Sequence, residues 1–151
     1  MDQDMHASYK SNQQNAETVR ETEARALLSC ASLLENVRAN ECTREEFGNA
    51  VRHNQKLWTF FQVSLCEPDN KLPHDLKILL LNLSRYVDKV SFRVLTDKNT
   101  NSLHSLININ RMIAAGLSKR PEDAAKDIAA ASFTSAAPTA ESMPQSISTL
   151  A

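Results

Sequence analysis

The chain is expected to fold as an all-α protein, a compact four-helix bundle, and three features of its 151 residues predict this. Gly48 and Gly116 are the only glycines, too few for the turns and bulges of a strand-rich fold. The β-branched and aromatic alternation that marks strands is missing. Apolar residues instead recur at three- and four-residue spacing through long stretches, separated by corners rich in Pro, Asn and Asp.

Residues 1–15 are polar and offer no face to bury, so they are expected to form a flexible arm in which Tyr9 is the one large ring. A first helix is expected from Ala16 to Asn40, where Val19, Ala26, Leu27, Cys30, Leu33, Leu34 and Val37 share a stripe. Thr43-Arg44-Glu45-Glu46 is a capping-box sequence that starts a second helix. Its seam is Phe47, Val51, Asn54, Trp58, Phe61 and Leu65, widened by Ala50 and Leu57, with Asn54 as a polar interruption that either fixes register or lies at the edge.

Leu65-Cys66-Glu67-Pro68-Asp69-Asn70-Lys71-Leu72-Pro73 breaks the chain sharply. Pro68 disfavours helical geometry at Glu67 and ends the second helix, and Glu67-Pro68-Asp69-Asn70 has the residues of a type I turn. Pro73 reads as the first position of the third helix, with Asp75 in its first turn. That helix, 73–95, carries an unbroken seam of Leu76, Leu80, Leu83, Val87, Val90 and Val94. Ile78, Leu81 and Phe92 lie off the seam, so a second face calls for cover. A polar corner over 96–102 leads to a fourth helix with Leu103, Leu106, Ile107, Ile113 and Leu117 inside, and Gly116 is placed for a left-handed C-terminal cap. The helical domain is thus expected over 16–118. Residues 119–151 turn to Ala, Ser, Thr and Pro and are expected to form a low-complexity tail, with a short helix at 121–131.

A net charge of −1 argues against a protein built mainly on nucleic-acid or anionic-membrane contact, although the stretch 43–120 is mildly basic. No signal peptide and no apolar run of membrane-spanning length is visible, so a cytoplasmic location is expected. Cys30, Cys42 and Cys66, an odd count at wide spacing, suit reduced and mostly buried thiols.

Reactive constellations are sparse. His6, His53, His74 and His104 show no metal-ligand spacing, and Cys66 and His74 across the corner read as a buried thiol and a surface imidazole. Two isolated glycines make no phosphate loop. The acidic pairs are explained by cap and turn roles, and neither an enzyme nor a cofactor is expected. Surface remains. One reading is a binding module whose apolar groove receives a partner's amphipathic helix, with Trp58, Phe60, Phe61, Ile78, Leu81 and Phe92 as its contacts. For Trp58 a core position competes with an interface anchor. The other reading is an RNA-contacting regulator using Arg44, Arg52, Lys56, Lys71, Lys77, Arg85, Lys89 and Arg93, against which stands a plainly solvated basic face with no aromatic residues interleaved.

Asn54-Gln55-Lys56-Leu57-Trp58, then Glu67-Pro68-Asp69-Asn70-Lys71-Leu72-Pro73, then Leu106-Ile107-Asn108-Ile109-Asn110-Arg111 with Gly116-Leu117, resemble in order and spacing the bacterial flagellar protein FlaF family. The resemblance runs from about Tyr9 to Leu117, and the tail after Arg120 departs from it. It implies a small cytoplasmic, non-catalytic factor needed for flagellin production and export. It also implies flagellin as a binding partner and a regulator of the FlbT type as a counterpart. Chaperone-like binding of flagellin before secretion is therefore the expected function; control of flagellin messenger RNA, direct or through the FlbT-type partner, is the alternative.

Overall fold

Local signals set most of the helix ends. In the computed structural model, which describes residues 2–97 and 99–119, four helices and one short turn succeed one another. They are α1 (Asp2–Ala39), α2 (Arg44–Cys66), α3 (His74–Asp97), a 3-10 turn (Thr100–Ser102) and α4 (Leu103–Leu117). The all-α expectation holds.

α2 starts on the expected capping box. The Thr43 hydroxyl oxygen accepts from the Glu46 amide at 3.1 Å, and the Thr43 amide donates to the Glu46 carboxylate at 2.8 Å. That backbone donor, with the Thr43 side chain second, holds the Glu46 carboxyl below its ordinary pKa. α2 ends at Glu67, whose ψ of 135° is the extended geometry that Pro68 imposes. The Asn70 amide then donates to the Glu67 carbonyl at 3.1 Å and closes the expected turn.

Three boundaries are corrected. α1 is helical from Asp2, not from Ala16, because residues 2–15 hold neither Pro nor Gly to stop it; every described side chain from Asp4 to Ala16 is nonetheless exposed. Pro73 is the residue before α3 and not its first helical position: its carbonyl accepts from the Lys77 amide at 3.0 Å. Gly116 is a buried residue inside the last turn of α4, and the C-cap is Ser118 in right-handed geometry. No left-handed cap forms: the backbone is still right-handed at Ser118, with φ −78° and ψ −8°. The tail and its short helix at 121–131 lie outside the described residues.

α1 packs most extensively against α4, and α2 and α3 form a hairpin on the proline corner, with α1 also running along α2. Across the hairpin the Gln62 side-chain amide donates to the Asp88 carboxylate at 3.0 Å. The core holds Leu27, Leu34, Val51, Trp58, Val87, Val94, Leu103, Leu106 and Ile107, all essentially inaccessible. On α3 the seam is buried at Leu76, Val87, Val90 and Val94, but Leu80 and Leu83 stay half-buried. Ser84 and Ser91, seven apart, are buried beside the seam. The second face of α3 stays open among the described residues, with Ile78 45% and Phe92 73% exposed. Cysteine burial is also corrected: all three thiols are free, but only Cys30 is buried, its pKa pushed up by burial, while Cys42 and Cys66 are exposed.

Gly48 is buried early in α2, and the atoms nearest to a Cβ there are those of the Arg52 guanidinium, the first at 2.8 Å. That group ends a flexible side chain on an exposed residue, held by one hydrogen bond to Asn49. Gly48→Ala is expected to stabilise the domain by up to about 1 kcal/mol, the helical preference of alanine over glycine, measured by urea denaturation.

Candidate functional site

The centre of the molecule is polar. Asn110, on α4 between the seam residues Ile107 and Ile113, is fully buried and faces both α1 and α2. Its Oδ1 accepts from Trp58 Nε1 at 2.9 Å, and its Nδ2 donates to Asn54 Oδ1 at 2.7 Å and to the Leu27 carbonyl at 3.4 Å. Three helices thus meet on one amide. Asn54 is therefore in the seam and not at its edge, with 0% exposure and an Nδ2 that has no hydrogen-bond partner. The Trp58 ring is 1% exposed, and Phe61 stands edge-on to it with centroids 5.7 Å apart at 89°.

Beside this network opens a cleft of about 330 Å³. Phe61 and Leu65 of α2 form one wall, with Trp58 at the base. The corner residues Leu72 and Pro73 and Leu80 of α3 form a second, and Ile113 and Leu117 of α4 a third. Arg20 and Glu23 of α1 stand at the rim. The corner is braced by Asn70, whose Nδ2 donates to the Ser64 carbonyl at 2.9 Å, whose Oδ1 accepts from the Leu72 amide at 3.1 Å, and whose own carbonyl accepts from Lys77 Nζ.

Of the six residues expected at a partner groove, the structure brings together two. Trp58 and Phe61 line the cleft, Trp58 as a core residue that shows one face to it. Phe60 is 76% exposed on the other side of α2, in a shallow hollow with Val63. Ile78, Leu81 and Phe92 lie on the outward side of α3 and do not line the cleft. The eight basic residues considered for RNA are exposed, apart from the half-buried Lys77. Sequence reasoning placed Ile113 in the core of the fourth helix and gave Leu72, Arg20 and Glu23 no part in a site; Asn110 is a polar residue at core spacing in α4.

Burial raises the Glu23 pKa, and Arg20 partly opposes it. Chemically the cleft offers an apolar bed lined also by one acid, Glu23, and two bases, Arg20 and Lys71. The described residues hold no cluster of His, Cys, Asp and Glu able to bind a metal, and no described helix is long and apolar enough to cross a membrane.

A helical bundle with a buried polar centre and an open apolar cleft is the class of protein that these observations define. A family model described as flagellar protein FlaF matches residues 5–117, well over half of the chain, and the chain belongs to that family of flagellar proteins. No curated protein matches the chain, and no solved structure does. The matched span contains Asn54, Trp58, the proline corner and Asn110.

Asn110→Leu strands the Trp58 N–H and the Asn54 Oδ1 in the core, and is expected to cost about 3 kcal/mol in urea denaturation. Asn54→Leu removes one partner of an amide that keeps two others, and is expected to cost clearly less. For Glu23 the raised folded pKa means that the folded state holds the proton more tightly than the unfolded state does. Stability from this group is therefore greatest at pH below its unfolded pKa and falls as pH rises through the folded pKa. Glu23→Gln is expected to remove that decline, seen as a smaller loss of urea midpoint than the parent shows between pH 4 and pH 7.

Proposed function

We propose that this flagellar protein binds flagellin in the cytoplasm before export, holding an amphipathic helical segment of it in the apolar cleft. The work is chaperone-like and non-catalytic, and a regulator of the FlbT type is a second proposed partner. The single observation that carries this reading is the open cleft of about 330 Å³ between Phe61, Leu72, Leu80 and Leu117 in a chain of a flagellar family. Small-molecule sites share that size, but this one opens along the ends of packed helices, the arrangement by which one protein receives another's apolar helix face. A segment that folds as it docks loses part of its interaction energy to ordering, which keeps affinity moderate and lets the guest be handed on.

The test uses purified full-length protein with flagellin monomer and, separately, with flagellin leader RNA, each at low and high salt. Flagellin is expected to bind with little salt dependence, because the contact is apolar. Leu80→Glu and Phe61→Glu, each placing a charge in the cleft, are expected to weaken it by about tenfold or more, with helicity retained. Retention of RNA alone, with affinity falling steeply as salt rises, would favour the messenger reading; binding to neither overturns both.

A further inference from the structure

α3 carries a second stripe besides its buried seam. Ile78, Leu81, Arg85, Asp88, Phe92 and Leu95 recur at alternating three- and four-residue spacing. They fall within about 100° of arc, on the side of the helix away from Leu76, Val87 and Val94. That spacing is the heptad pattern of a helix packed lengthwise on another helix. The described residues leave the stripe open: Phe92 and Arg85 are exposed, Ile78 is nearly half exposed, and Leu81 and Asp88 are half-buried. Only Leu95, at one end, packs against the margin of the core.

The two charged residues stand at the middle of the stripe, with apolar residues on both sides. Among the described residues Arg85 forms no ion pair, although Asp88 is one turn on; the Asp88 carboxylate is held instead by the Gln62 side-chain amide, which donates to its Oδ2 at 3.0 Å. A parallel partner of the same sequence would set arginine against arginine and aspartate against aspartate. Antiparallel, about a two-fold axis level with Tyr86 and Val87, every position finds a match. Ile78 then faces the other copy's Leu95, Leu81 its Phe92, and Arg85 its Asp88, and the symmetry makes each contact twice. Lys89 borders the stripe and reaches water past its edge, and His74, on the same line, stands beyond the paired length.

We propose that the outer face of α3 is a homodimer interface, in which two copies pack α3 on α3 antiparallel, Leu81 against Phe92, around a central pair of Arg85–Asp88 contacts. A second copy is favoured over an unrelated helix because the order apolar, basic, acidic, apolar becomes its own complement on reversal, a property that a foreign partner does not require. The charges set direction and register, and the apolar layers on either side supply the attraction. One helix pair is a small interface, so the affinity expected is on the order of micromolar. Leu80, the α3 residue that lines the cleft, is turned about 110° from the middle of the stripe. Pairing on the stripe therefore does not fill the cleft, and the inference does not rest on flagellin binding.

Sedimentation equilibrium of the full-length protein, from low micromolar to submillimolar concentration, tests the interface. The parent is expected to pass from monomer to dimer across that range. Phe92→Asp, a change at an exposed site, is expected to weaken the association by about tenfold or more. Arg85→Asp and Asp88→Arg each set like charges face to face, and each is expected to lose self-association. Mixed in equal amounts, these two variants restore both central pairs and are expected to form a mixed dimer. Far-UV circular dichroism checks that each variant is folded. A parent that stays monomeric overturns the proposal and leaves the stripe to a partner other than this chain. A dimer that all three variants leave intact overturns it as well, and so does a mixture that remains monomeric. Leu80→Glu, in the cleft, is expected to leave dimerisation unchanged, so this reading and the flagellin reading fail separately.

Discussion

The buried amide of Asn110 is the constraint on which the rest of the arrangement depends. A bundle held by leucine and valine alone tolerates sliding of its helices, since apolar contact is non-directional. Hydrogen bonds from Asn110 to Trp58, Asn54 and the Leu27 carbonyl are directional, and they fix α4 against α1 and α2 in one register. The cleft is a product of that register. With the indole N–H tied to α4, Trp58 lies at the base of the opening while Phe61, one turn on, stands beside it as a wall.

Much of this was legible in the sequence, and the failures have physical causes. The Thr43 capping box and the Glu67–Pro73 corner were readable because each is a local device whose residues act on the backbone within a few positions. The seams of α2 and α4 were readable because periodicity reports burial directly. The start of α1 was not, since the absence of an apolar face argues against packing but not against helical backbone. Gly116 was misread because glycine near a helix end fits a cap by local rules, whereas its burial inside the last turn of α4 depends on how the helices pack.

The site divides in the same way. Off-seam position predicted exposure correctly for Phe60, Ile78 and Phe92, but exposure does not make a cavity. A cleft needs walls from elements far apart in sequence, here the end of α2, the corner and the end of α4, and only their three-dimensional juxtaposition reveals it. Trp58 bridges both accounts, being the largest buried side chain and also the base of the opening.

The bracing by Asn70 has a consequence for how any guest is chosen. One side chain and its carbonyl pin the end of α2 to the start of α3, so the distance between those two walls is set by covalent geometry and three hydrogen bonds and not by pliable side chains. Were a helix to dock there as proposed, a jaw of fixed gape would select by girth, and the adjustment would fall on the visitor.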